Sequence, residues 1–321
     1  AVTDFMVKMI EPKLGETVAD FACGTGGFLT SSLKVLEPQI ESIEDRELYD
    51  ASVFGIEKKP LPYLLCITNM LLHDIDSPKI YHANSLEQNV RDYKEQDKFD
   101  IILMNPPYGG TESEGVKMNF PADLRSSETA DLFMSVIMYR LKRNGRAAVI
   151  IPDGFLFGSD NAKIAIKQKL IDEFNLHTIV RLPASVFAPY TSITTNIIFL
   201  DNQQKTDAVW FYRVDMPDGY KHFSKTKPMK LEHFDSCVAW WYDRQEIADE
   251  GSDSFKAMQF TADEIRARNF DLDLCGYPTY EEEVLSPEET IRQFKEKRDA
   301  LNTKIDRGIK QIEDLLGVQL W

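Results

Sequence analysis

The chain has 321 residues, 43% of them hydrophobic, and its 52 Asp and Glu against 37 Lys and Arg give a formal net charge of −15. That is apolar content for a full core in one large α/β domain with appendages or in two small domains, with no run near the ~18 apolar residues of a membrane span. The acidic balance argues against a self-sufficient nucleic-acid binder, because phosphate affinity comes from Lys and Arg. It leaves DNA open as a substrate where a cleft is locally basic or a partner supplies the backbone contacts.

The first residues, AVTDFMVKMI, read as an amphipathic helix rather than a signal peptide. The chain starts at Ala1 without a Met, so it is expected to be a fragment of something longer. Short apolar strands then alternate with helical patterns, the signature of a doubly wound, mostly parallel sheet. Residues 17–22 read as a strand, a glycine turn follows at Gly24, Gly26 and Gly27, and a helix begins at Phe28. Strands are expected at 52–56, 79–82, 99–104, 146–151, 178–182 and 194–200, the last continuing into 208–212. Helices are expected at 62–73, 129–141 and 162–174, with a loop over 109–127. Beyond about Asp215 the period is lost and an irregular extension is expected. From Ser286 the pattern is helical again, with Ile291, Phe294, Leu301, Ile305, Ile312 and Leu315 at threes and fours, and Ser286-Pro287-Glu288-Glu289 as a helix start. The division expected is a catalytic domain over 1–215 and an extension over 216–321 ending in an amphipathic helix at 286–316. The four cysteines, Cys23, Cys66, Cys237 and Cys275, form no CxxC pair and have no His at metal spacing, so buried reduced thiols and no metal site are expected.

Two motifs carry chemistry. Asp20-Phe21-Ala22-Cys23-Gly24-Thr25-Gly26-Gly27-Phe28 leaves a strand and opens a helix. Its glycines let the backbone turn tightly and approach a ligand, and the helix start offers free N–H groups. A plain βα turn would look the same. Glu57, about 30 residues on at the end of the next strand, adds an acid placed to accept ribose hydroxyls. A solvated acid at a helix start is the alternative for it. Together they point to a nucleoside-containing cofactor over the carboxyl ends of the strands. The spacing lacks G-x-G-x-x-G and G-x-x-x-x-G-K-[ST], which disfavours a dinucleotide site and excludes a P-loop.

The second motif, Asn105-Pro106-Pro107-Tyr108, follows the fourth strand. Two prolines fix φ and free carbonyls, Asn adds an acceptor, and Tyr adds an aromatic face. A planar amino group needs such a site: acceptors for its hydrogens and a ring on its plane. A rigid loop after a buried strand is the bland alternative.

These motifs resemble the modification (M) subunit of type I restriction–modification systems, within the gamma-class N6-adenine DNA methyltransferases. Residues 20–28 match the family's D-P-A-C-G-T-G-G-F/L motif with Phe21 in place of Pro, and Asn105–Tyr108 match N-P-P-F/Y. Gly145-Arg146-Ala147-Ala148 with Ile150-Ile151-Pro152 is similar to the family's G-G-R-A strand, with Asn144 for the first Gly. Leu182-Pro183 through Val186-Phe187, then Thr194-Thr195-Asn196-Ile197-Ile198-Phe199-Leu200, is similar to its late motif. The resemblance covers about residues 1–215.

The resemblance implies an S-adenosylmethionine-dependent, Rossmann-like methyltransferase fold with a helical C-terminal extension. It implies cofactor binding by Asp20, Ala22, Gly24, Thr25, Gly26, Gly27 and Phe28, by Glu57 on the ribose, and by Asn84, Ser85 and Leu86 at the adenine, with Asn84 where the family commonly has Asp. Asn105 and the Pro106 carbonyl are expected to accept from the target amine and Tyr108 to stack on the extruded base. Pro107 and Phe187 are candidates for its surroundings, core packing being the alternative for Phe187. The family's preceding helical domain and Thr-Pro segment are missing from this chain, so weak cofactor binding is expected of it alone. Expected partners are DNA, a specificity (S) subunit that reads sequence, and optionally a restriction (R) subunit, in the cytoplasm; the helix at 286–316 is a candidate docking element. Two other readings stand beside this one. Protein-glutamine methyltransferases also carry Asn-Pro-Pro-Tyr, and a non-catalytic scaffold could keep the fold.

Overall fold

A computed structural model describes residues 1–188, 190–191, 193–250, 254–276 and 287–316. The chain forms two compact units, Ala1–Pro278 and Thr279–Trp321. In the first, helices α1 (Val2–Ile10), α2 (Gly27–Leu36), α3 (Ile43–Asp50), α4 (Pro60–Leu72), α5 (Glu114–Lys117), α6 (Thr129–Arg140), α7 (Asp153–Phe157), α8 (Asn161–Glu173), α9 (Asp235–Tyr242) and α10 (Ala262–Ala267) flank one sheet. Its strands are β1 (Val18–Asp20), β2 (Val53–Glu57), β3 (Lys79–His82), β4 (Phe99–Met104), β5 (Leu141–Pro152), β6 (Asn175–Arg181), β7 (Thr195–Asp201), β8 (Ala208–Arg213), β9 (Ile247–Ala248) and β10 (Phe255–Thr261). The spatial order is β3-β2-β1-β4-β5-β7-β6-β8-β10-β9.

β1, β2, β3, β4 and β5 run parallel, as does β8 beside β6, while β7 is antiparallel to both β5 and β6. The chain winds outward from β1 to β3, then crosses to β4 on the other side of β1. Such a reversal opens a crevice at the carboxyl ends of the two strands, where ligands of open α/β sheets bind. The central strands are buried on both faces, as continuous apolar runs require. In β4, Ile102 and Met104 join one core cluster and Ile101 and Leu103 the other. In β5, Ala147, Val149 and Ile151 alternate in the same way with Ala148 and Ile150.

Two of the three departures from the resembled family have local physical accounts. Asn144 has φ +63, the left-handed region that Gly enters freely and Asn tolerates better than most residues. Phe21 is buried, and the Arg140 guanidinium lies 4.5 Å from its ring centroid and 4.9 Å from that of Phe99. Arg146, in the same motif as Asn144, clasps the end of α1. Its Nε donates to the Ile10 carbonyl (2.7 Å), its Nη2 to that of Glu11 (2.8 Å), and its fork meets the Glu16 carboxylate at 2.6 and 2.9 Å.

The stretch expected to be irregular beyond Asp215 contains α9, α10 and β10, and β10 pairs antiparallel with β8 from Ala257↔Tyr212 to Thr261↔Ala208. Only Ala257 of β10 is buried, so no clean alternation marks it in sequence. The strand expected at 146–151 runs from Leu141 to Pro152, and Lys142, Arg143 and Asn144 in its added part are polar and not buried. All four cysteines are free and buried, with the Cys23 and Cys66 sulfurs 3.7 Å apart. No helix among the described residues is long and apolar enough to cross a membrane. In the second unit, α11 (Pro287–Leu316) is a 30-residue helix on which Ile291, Phe294, Leu301 and Ile305 are exposed within that unit. The expected cap, Ser286, lies outside the described residues.

Candidate active site

The glycine turn is built by its neighbours. Gly24 and Gly26 have φ +55 and +87. A Cβ on Gly26 would also lie 2.9 Å from the Cys66 sulfur, so only glycine lets α4 close on the turn. Gly24 has no atom within 4 Å of where its Cβ would stand. Two carboxylates lock the bend. Asp20 Oδ1 accepts from the Ala22 N–H (3.0 Å), and Glu57 Oε2 accepts from the Gly24 N–H (2.9 Å). Glu57 Oε1 accepts from the Lys59 N–H (2.7 Å), so one carboxylate joins the ends of β1 and β2. Asn69 Nδ2, on α4, donates to the Thr25 carbonyl (2.7 Å). Burial of Asp20, with Glu57 close by, pushes its carboxyl up to about 7.

The proline loop leaves β4 on the neighbouring side of the crevice. Pro106 is buried, Asn105 and Pro107 are exposed, and Tyr108 is half-buried. The Tyr108 hydroxyl donates to Asn105 Oδ1. Burial raises the Tyr108 phenol above its usual range, so it stays protonated and a donor. The ring of Tyr108 packs against the same apolar cluster as the half-buried Phe187.

Both motifs meet in one cavity of about 280 Å³. Its lining takes Ala22 and Gly24 from the turn, Glu57 from β2, Asn84 and Ser85 beyond β3, and Asn105 and Pro107 from the proline loop. Asp20, Thr25, Gly26, Gly27, Phe28 and Leu86 are not in that lining. Asp20 holds the bend, Gly26 admits α4, and Phe28 and Leu86 are buried in the core on opposite faces of the sheet. Pro106, Tyr108 and Phe187 also lie outside it. Ser85 donates to the Phe21 carbonyl (2.6 Å), and Asn84 Oδ1 accepts from the Leu86 N–H (3.2 Å), which fixes the turn after β3.

Eight further residues line the cavity without having been singled out as site residues in the sequence: Phe21, Lys58, Lys59, Pro62, Ala83, Glu112, Thr129 and Phe133. Lys58 and Glu112 face each other at 3.6 Å. Thr129 and Phe133 stand one turn apart on α6, a spacing that puts both on one helix face. Helical periodicity could have flagged that face, but α6 is buried nearly all round and its stripe is lost among core residues.

An apolar cavity lined by a fixed carboxylate and by an amide and hydroxyl turn suits a nucleoside. Each oxygen of Glu57 has given one lone pair to the backbone and keeps another for a ligand hydroxyl.

Comparison with known proteins agrees with this architecture. The family model described as N-6 DNA Methylase matches residues 1–284. The EcoEI type I restriction enzyme methylase subunit of Escherichia coli is 45% identical over 324 residues, which cover all of this chain and 64% of that one. The chain thus spans under two thirds of the length of this relative. Among solved structures, a modification subunit from Vibrio vulnificus YJ016 has 46% identity and a TM-score of 0.78, covering 82% of this chain and 55% of that one. The type I restriction-modification methyltransferase subunit from Streptococcus thermophilus has 27% identity and a TM-score of 0.68, covering 85% and 57%.

Proposed function

Because the chain belongs to the N-6 DNA methylase family, we propose that it transfers a methyl group from S-adenosylmethionine to N6 of adenine in DNA, as the modification subunit of a type I restriction–modification complex. The observation that carries this reading is the shared cavity: Gly24 and Glu57 on one wall, Asn105 and Pro107 on another. The donor supplies an electrophilic methyl on a sulfonium; positioning and polarity fall to the chain.

Glu57 takes the ribose hydroxyls, Gly24 leaves room for the ligand, and the Asn84–Ser85 turn borders the adenine, flanked by Pro107 and Phe133. The target adenine is out of reach within a duplex and is flipped out, which costs a few kcal/mol of unstacking. Asn105 Oδ1 and the Pro106 carbonyl accept from its amino group and aim the nitrogen lone pair at the methyl, which is catalysis by orientation and electrostatics. Asn105 Oδ1 is held by the Tyr108 hydroxyl until the base arrives, and the arriving amine takes over that acceptor as the ring stacks on Tyr108. Phe187, on the same cluster as Tyr108, forms the far side of the base site. Sequence reading belongs to a specificity subunit, consistent with the chain's net charge of −15, and a restriction subunit joins the complex as a further partner.

The test is transfer of tritium from labelled S-adenosylmethionine, in the reconstituted complex, to duplex DNA and to protein. Label at N6 of adenine is the expected result. Label in a protein amide, or none in DNA, overturns it.

A further inference from the structure

Thr129 holds a polar atom that the fold leaves unanswered. It stands at the start of α6, lines the cavity, and is 5% exposed. Its Oγ1 is buried and has no hydrogen-bond partner. A hydroxyl in that state carries a desolvation penalty that a plain methyl would not.

The neighbour it packs against is Gly110. A Cβ there would lie 2.7 Å from the Thr129 hydroxyl oxygen, closer than side chains tolerate. Gly110 does not have the positive φ that explains Gly24, Gly26 and Gly109, so no demand of its own backbone calls for glycine. The Thr129 N–H donates to the Gly110 carbonyl (3.1 Å), which fixes the two residues against each other. Glycine at 110 therefore makes a niche whose occupant is a hydroxyl. Threonine in a helix populates two side-chain rotamers, so rotation about Cα–Cβ lets the hydroxyl leave the niche.

We propose that Thr129 is a specificity-determining residue for the nucleoside ligand, its hydroxyl bonding a heteroatom of the purine ring, with Gly110 providing the space that keeps it free. The inference rests on the reading of the cavity as the methyl-donor site. Thr129 shares its helix face with Phe133, and Asn84 and Ser85 line the same cavity, so a flat heterocycle held there lies within reach of the Thr129 side chain.

The experiment is calorimetric titration of the full chain with S-adenosylhomocysteine and its 1-deaza, 3-deaza and 7-deaza analogues, comparing wild type, Thr129→Val, Thr129→Ser and Glu57→Ala. Thr129→Val should weaken binding about tenfold, the loss of one neutral hydrogen bond, and Thr129→Ser should stay within about threefold of wild type. One deaza analogue should show the same loss on the wild type and no further loss on Thr129→Val. Unchanged affinity in Thr129→Val, or an equal loss for every analogue, overturns the proposal, the second outcome assigning Thr129 to packing. Should Thr129→Val not fold, the wild-type deaza series decides: if none of the three analogues binds more weakly than the parent compound, the hydroxyl has no ring nitrogen to meet. Glu57→Ala separates the two levels. If it weakens binding while Thr129→Val does not, only the role of Thr129 falls; if neither changes it, the reading of the cavity falls as well.

Discussion

The glycine turn and the proline loop stand at the ends of adjacent strands, yet they are made rigid in opposite ways. The turn after β1 is held by hydrogen bonds from outside itself: Asp20 to Ala22, Glu57 to Gly24 and Lys59, Asn69 to Thr25. The loop after β4 is held by its own covalent rings, with Pro106 buried and one internal bond from Tyr108 to Asn105. A network built on carboxyl acceptors gives a ligand site that responds to charge. A proline-stiffened segment keeps its acceptors aimed without charged partners of its own. The half of the cavity that would hold the donor is thus electrostatically built, and the half that would hold the acceptor is sterically built.

The contrast can be broken from either side. The largest effect is expected from Asn105→Ala, which removes the acceptor that Tyr108 holds in place for the reacting amine. Transfer to DNA should fall about 10²–10³-fold while calorimetric affinity for S-adenosylhomocysteine stays near wild type. Equal losses in both would mean that the two halves are not separable. Glu57→Ala should do the reverse, weakening S-adenosylhomocysteine about 10–100-fold, as befits loss of charge-assisted hydrogen bonds. A mutant that binds normally would show that Gly24 and Lys59 do not need that carboxylate.

The pH response sharpens the same contrast. The folded Asp20 carboxyl titrates near 7, well above its ordinary value near 4. A raised acid favours the folded state fully below its unfolded pKa, and that contribution is lost as pH climbs toward the folded value. Chemical denaturation of wild type and Asp20→Asn at pH 5 and pH 7 should therefore show wild type losing about 2 kcal/mol relative to the variant across the interval. Parallel curves would place the proton elsewhere. The smallest effect is expected from Gly26→Ala. Positive φ and the approach of Cys66 together should cost about 1–2 kcal/mol, read as a melting temperature a few degrees lower.

What the sequence disclosed follows the reach of each interaction. Gly24, Glu57 and Asn105 were legible because each sits at a strand end with a local signature, and strand order brings such ends to one crevice. Thr129, Phe133 and Glu112 were not, because they reach the cavity through a loop and a helix whose apolar pattern is that of any buried element. Strand β10 was hidden for a related reason: its pairing with β8 is specified by the partner strand, and its own residues are too unevenly buried to alternate. Asn144 and Phe21 read as departures from a pattern, and only the φ of one and the Arg140 packing of the other explain why the chain accommodates them.

The double hold of Glu57 on Gly24 and Lys59 has a kinetic consequence. A molecule entering the cavity meets a carboxylate already oriented and a bend already closed, so little chain ordering accompanies capture. Arrival is then governed by encounter, and differences in affinity among related ligands should emerge in how long each stays before it departs.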